Sequence, residues 1–230
     1  MGVTEMGVAE MGITETSIAE TRIEERYELA PETVEHSPTL QRWSEGTPDV
    51  LHDIRHDPSF RTRIQAGYAV FPSNDNTRGL RVGIEDWFIG STGLTIGGDY
   101  QQNFRGDRES YGVDLHYYLL PLGSYVNVAP VVGYRSITTG RSNGNASAGL
   151  SVDGLNLGFQ LKVIPSRGGG ADFAYTQTWT APNRDNTART TELEFGYALT
   201  RHLRLSSEIE WQFTPGRTDS QLGVGLEWML

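Results

Sequence analysis

The sequence has no cysteine among its 230 residues, which removes disulfide frameworks, thiolate metal sites and cysteine nucleophiles together. It also lacks any run of about 18 apolar residues, so no transmembrane helix is expected. A membrane is not thereby excluded, because a strand that crosses one is apolar only at every second position. A basic excess is missing too. Residues 1–59 hold 13 Asp plus Glu against 4 Arg, and subtraction from totals of 29 and 19 leaves 16 acidic and 15 basic residues for 60–230. The net of −9 belongs to the first segment and the rest stands at −1, so neither part offers the positive surface that phosphate neutralisation demands, and no nucleic-acid partner is expected.

What is present in quantity is glycine, 27 residues with 10 prolines, which favours strands and turns over helices. The charge step divides the chain into an acidic tail and linker over 1–59 and a second region over 60–230. The tail opens with a repeat of period five, MGVTE, MGVAE, MGITE, TSIAE, TRIEE. Val3, Val8, Ile13, Ile18 and Ile23 precess by about 140° per step around a helix and change faces at each step of a strand, so neither element gains a continuous apolar face. A mostly disordered acidic segment is expected. One short helix is predicted over 47–57, with Thr47 as N-cap and Pro48 in the first turn. His52 and His56 stand at i, i+4 on it, beside Asp53 and Asp57, but no third ligand follows at a defined spacing, so neither a metal nor a cofactor is expected.

From Phe60 onward, apolar residues recur at every second position. Ten such segments are read at 60–71, 79–89, 93–103, 110–120, 124–135, 154–164, 171–180, 190–199, 203–213 and 221–230. Each has about the 9 to 11 residues that a tilted strand needs to cross a bilayer. Ten is even, so the pattern predicts an all-β, ten-stranded antiparallel up-and-down transmembrane barrel. The links after the second, fourth, sixth and eighth strands read as tight turns, and the others, above all Ile137–Asp153, as longer polar loops. In an outer-membrane barrel the short turns and both termini face the periplasm, which would place the tail there.

Period two does not say which row faces inward. A soluble lipocalin-like barrel would put the apolar row inside. Two features oppose that. Glycines such as Gly67, Gly83, Gly112, Gly158 and Gly196 lie in the polar row, where small residues suit a narrow lumen. Aromatics also gather near the strand ends, with Phe71, Tyr100, Tyr111, Tyr134, Trp179 and Trp211 at the loop side and Phe60, Tyr117, Tyr197 and Trp228 at the turn side, as for two belts at headgroup level. With the apolar row outward, the lumen is predicted to receive Arg61, Arg63, Arg81, Arg135, Lys162 and Arg204 against Glu85, Asp99, Asp114, Asp172, Glu192, Glu194, Glu208, Glu210 and Glu227. Such charges in a narrow bore are expected to form a salt-bridged network. Asp114 and His116 share that face and could pair.

No nucleophile stands at a matched spacing from a base, and the longer loops expected at the outer rim contain no His, so no enzymatic activity is expected. A non-enzymatic envelope barrel is the first functional reading, and a weakly cation-selective channel the second. The closing stretch SQLGVGLEWML carries Leu226, Trp228 and Leu230 in one row. It resembles the C-terminal signal by which bacterial outer-membrane barrels engage their assembly machinery, with Leu in place of the more usual terminal Phe. The stretches DPSFRTRIQAGYAVFP and YYLLPLGSYVNVAPVVGYRS resemble a group of uncharacterised cyanobacterial barrel proteins. The resemblance implies an outer-membrane location, with its lipid and its assembly machinery as partners. An exported barrel needs a signal, and Met1 onward has no basic stretch followed by an apolar one, so the assignment requires a signal upstream of this start or already removed.

Overall fold

The computed structural model describes residues 58–90, 92–139, 150–165, 170–182 and 186–230. The acidic repeat, the helix expected over 47–57 and the His52/His56 pair lie outside these residues. Ten strands follow: β1 (Arg63–Phe71), β2 (Thr77–Phe88), β3 (Leu94–Asn103), β4 (Glu109–Tyr117), β5 (Val126–Thr139), β6 (Leu150–Val163), β7 (Ala171–Thr180), β8 (Ala188–Ala198), β9 (Leu203–Thr214) and β10 (Arg217–Met229). Each pairs antiparallel with its chain neighbours, and β10 pairs with β1 to close the barrel. Each alternating segment of the sequence corresponds to one strand.

Closure explains why the alternation runs to the end of the chain. At the seam Trp228 pairs with Ile64, Leu226 with Ala66 and Gly225 with Gly67. The Leu230 N–H donates to the Thr62 carbonyl at 3.0 Å. The last strand therefore satisfies the backbone of the first, and no edge remains.

The two rows separate cleanly. Leu80, Leu115, Leu155, Val224 and Leu226 face out and are 41–58% exposed, whereas Arg63, Lys162, Arg204 and Glu227 face in at 2% or less. A soluble barrel has the opposite arrangement. An apolar exterior around the whole circumference is stable only in hydrocarbon, so the barrel is a transmembrane one and the lipocalin-like alternative falls away.

The expected difference in loop length is not found. The links 72–76, 104–108, 140–149, 181–187 and 215–216 are as a group no longer than 89–93, 118–125, 164–170 and 199–202 on the other side, although 140–149 is the longest of all. Much of the polar sequence assigned to loops continues the hairpins, as in β5 to Thr139 and β6 from Leu150. Polar composition marks where a strand leaves the apolar zone, and the backbone ladder continues past that point. The extreme case is β9–β10, joined by Pro215-Gly216 alone: proline presets φ at the first corner and Gly216 takes the second at φ +82°.

Two aromatics assigned to the belts belong to the interior. Phe60 is 2% exposed: the chain bends inward before β1, where the Ser59 N–H donates to the Leu122 carbonyl at 2.9 Å. Phe60 there packs with Tyr118, Leu122, Ala129 and Ile164 as an apolar cap inside the end of the barrel where the chain enters and leaves. Phe71 is fully buried because it shares the row of Arg63, and the Arg108 guanidinium lies over its ring at 4.6 Å. Tyr100, Tyr111, Tyr134, Trp179, Tyr117, Tyr197 and Trp228 are 37–56% exposed on the outside, and Trp211 is half-buried there.

Candidate functional site

The concentration of chemistry lies in the bore. Its lower part, beside the termini, is built by one irregularity in β2. The pairing of β2 with β3 shifts between Ile84 and Trp87, and Asp86 takes φ +53°. This β-bulge turns two successive carboxylates, Glu85 and Asp86, to the same inward face and flips Trp87 outward. Aspartate is among the few side chains that tolerate this left-handed conformation.

Those two carboxylates meet the chain's only lysine. Lys162 of β6, fully buried, bonds Glu85 at 3.0 Å and Asp86 at shorter range. Asp86 also accepts from Tyr118 Oη at 2.5 Å and from Thr95 Oγ1 at 3.3 Å. Burial, reinforced by the Asp86 carboxylate, pushes the Tyr118 phenol well above its ordinary pKa and keeps it a donor. The Lys162 ammonium stands 4.7 Å from the centre of the Phe60 ring, so the apolar cap and the charged layer are in contact.

Around the same level, Arg63 of β1 bonds Glu85 and reaches Asp172 at 2.7 Å and Glu227 at 3.6 Å. Arg204 of β9 bonds Asp172 and reaches Glu227 at 2.9 Å. Room for Arg204 exists because residue 196 is glycine: a Cβ there would overlap the guanidinium. The layer thus ties β1, β2, β6, β7, β9 and β10 across the bore.

A second layer lies toward the hairpin links. Arg135 binds Asp99 at 2.6 Å and Asp114 at 3.2 Å, and Arg81 binds Glu192 at 3.1 Å and also Glu208. Nearer the mouth, Arg108 faces Glu210 at 3.4 Å. Between the layers is a polar cavity of about 70 Å³, room for a few water molecules, lined among others by Gln65, His116, Thr176, Glu192 and Glu194. Asp114 is held by Arg135 and by Asn156 Nδ2 at 2.8 Å. The Asp114–His116 pair is not formed, and the buried His116 Nδ1 has no hydrogen-bond partner.

Most of the residues predicted for the lumen are brought together there, with one correction and four additions. Arg61 is exposed outside the bore and donates to the Arg201 carbonyl at 3.4 Å, because alternation begins only at Arg63. Arg108 stands in a link segment but folds inward over Phe71. Asp86 has the wrong parity for the lumen, and only the bulge turns it in. With these changes, and with Arg217 and the buried Asp219 that pair at 2.8 Å in the inward row of β10, the described bore holds seven cations, Arg63, Arg81, Arg108, Arg135, Lys162, Arg204 and Arg217, against eleven carboxylates. The excess is four negative charges. Leu226, Trp228 and Leu230 are 51–55% exposed on the outer wall at the seam.

No family model and no curated protein matches the sequence. Among solved structures the chain is similar to the KdgM porin in complex with disordered oligogalacturonate, at 10% identity over 73% of this chain and 99% of that one, with a TM-score of 0.42. It is similar to the N-terminal β-barrel domain of Pseudomonas aeruginosa OprF at 9% identity, 74% and 98% coverage and a TM-score of 0.37. It is also similar to Ail, the attachment invasion locus protein of Yersinia pestis, at 10% identity, 74% and 99% coverage and a TM-score of 0.31.

Proposed function

We propose that this protein is a non-conducting, non-enzymatic barrel of a bacterial outer membrane, a structural or surface-interaction module that acts through its exterior and its hairpin ends. One observation carries the reading: the bore is occluded at two successive levels, by the apolar cap around Phe60 and by the charged layer that joins Arg63, Lys162 and Arg204 to acids on opposite walls. A permeating ion would have to break buried ion pairs that have no water to replace them. Both barrel termini lie at the capped end, which in this reading faces the periplasm together with residues 1–57. Leu226, Trp228 and Leu230, exposed on the last strand, then serve as the signal for the assembly machinery.

Planar-bilayer recording tests this directly. A correctly folded chain should be silent. Steady cation-selective steps that diminish when Glu194 and Glu208 become Gln would establish a channel instead, which the excess of four lumen carboxylates would suit. Folding is checked independently by gel migration from detergent, where the unboiled and boiled chain should differ.

A further inference from the structure

The outer wall is almost free of charge, and the exceptions are confined to one end. In the ten strands, the outward row of the described residues holds Arg78, Glu109, Asp153 and Arg189 as its only charged side chains. All four fall within the first four residues of β2, β4, β6 and β8, at the end away from the termini. The acids and the bases there differ in their surroundings. Tyr134 Oη donates to Asp153 at 3.3 Å, and Glu109 lies beside the Tyr100 phenol. Neither Arg78 nor Arg189 has a carboxylate at ion-pair distance among the described residues.

Arg189 is nevertheless held in place. It pairs across the sheet with Trp179 on one side and Phe213 on the other. Its guanidinium carbon lies 4.3 Å from the centre of the Phe213 ring, so the plane is supported from one face while its N–H edge stays exposed. A planar fork with free donors matches the oxygens of a phosphate. The surrounding depth is that of a headgroup, since Trp179, Tyr111 and Tyr134 are exposed at the same end. Arg78 has the charge without a ring against its guanidinium, which makes it an internal comparison.

We infer that Arg189, with Phe213 behind it and Trp179 beside it, binds the phosphate of an anionic lipid headgroup, one with no choline beside it, in the leaflet at the hairpin end of the barrel. The inference rests on the reading of the chain as an outer-membrane barrel and adds a specific lipid contact to it. The phosphate accepts from the guanidinium edge while the acyl chains lie along the apolar wall below, over Leu193 and Ile209. A free phosphate ion could offer the same acceptor but gains nothing from that wall.

The test uses the full chain with Trp43, Trp87 and Trp228 changed to Phe, so that Trp179 and Trp211 report on this end. Folded protein is reconstituted in phosphatidylcholine vesicles containing increasing fractions of brominated phosphatidic acid or of brominated phosphatidylcholine, whose chains quench nearby tryptophan. The parent should favour phosphatidic acid about fivefold, the effect of one basic side chain at an anionic lipid surface. Arg189→Ala and Arg189→Gln should abolish the preference, and Arg78→Ala should keep it. Equal quenching by both lipids in the parent, or a preference that survives both Arg189 variants, would overturn the site. Loss of the preference in excess inorganic phosphate would overturn the lipid in favour of a free-ion site. If even brominated phosphatidylcholine fails to quench, the barrel does not lie in lipid and the membrane reading itself fails.

Discussion

The two halves of the bore use the same kinds of residue in different solvents. Beside the termini, Arg63, Lys162 and Arg204 are at most 2% exposed, and Glu85, Asp172 and Glu227 are each shared between two cations. Toward the hairpin links, the side chains of Arg81, Arg135 and Glu192 keep 12–21% of their exposure and border the cavity, and Arg108 and Glu210, nearer the mouth, are buried again. The difference teaches that the worth of an ion pair here is set by access to water more than by the number of contacts. A stranded charge in the upper half can recruit water from the cavity. In the lower half Glu85 and Glu194 border the cavity, and the other charges have only protein around them.

Breaking the lower layer should therefore cost most. Lys162→Met keeps the bulk of the side chain, removes the close cation of Asp86 and leaves Glu85 with Arg63 alone, which should lower unfolding stability in detergent or bilayers by about 3–5 kcal/mol. Arg135→Met, at the cavity, should cost clearly less in the same denaturant titration. Equal losses would show that both halves are equally dry. On the outer face of the same wall, Leu115→Arg places a charge in hydrocarbon and should cost about 2–4 kcal/mol if it lies near the midplane. No loss for Leu115→Arg would place that wall in water.

A smaller effect separates the glycines of the inner row. Gly196→Ala puts a methyl group where the Arg204 guanidinium lies and should cost about 1–3 kcal/mol by displacing it from Asp172. At Gly223 the nearest atom to a new Cβ is the Glu208 Cβ at 3.5 Å, an ordinary contact. Gly223→Ala should accordingly change stability by no more than about 0.5 kcal/mol. Comparable losses at both positions would mean that the lower layer has no special need for the space at Gly196.

The strands and their two faces were legible because a barrel wall imposes period two on every segment, and the apolar rows Val113–Tyr117, Leu155–Val163, Leu193–Tyr197 and Leu222–Trp228 run without interruption. Lys162, Arg204 and Glu227 follow from that parity alone. Asp86 does not. Parity assigns it to the outer row, and the signal that could have found it is local: two adjacent acids, Glu85 and Asp86, followed by Trp87 where the apolar row Leu80, Val82, Ile84 should have continued at position 86. A break of phase between 84 and 87 is what one extra residue in a strand produces. Phe71 was also within reach, since it shares parity with Arg63, and grouping aromatics by nearness to strand ends concealed it. Arg108 and Phe60 lie outside the alternation, so no period could place them.

The sequence by itself determined the number of strands, the segregation of polar and apolar rows and the closing role of the last strand, because each depends on residues adjacent along the chain. Only the tertiary structure decided which row faces inward, which cation serves which acid, and that a charged layer spans the bore. Lys162 and Asp86 lie 76 positions apart, as Arg63 and Asp172 lie 109 apart, and they meet only when β10 pairs with β1 and curls the sheet on itself. Curvature brings opposite walls within reach of one side chain. A one-dimensional pattern carries no information about curvature beyond the count of strands that must share it.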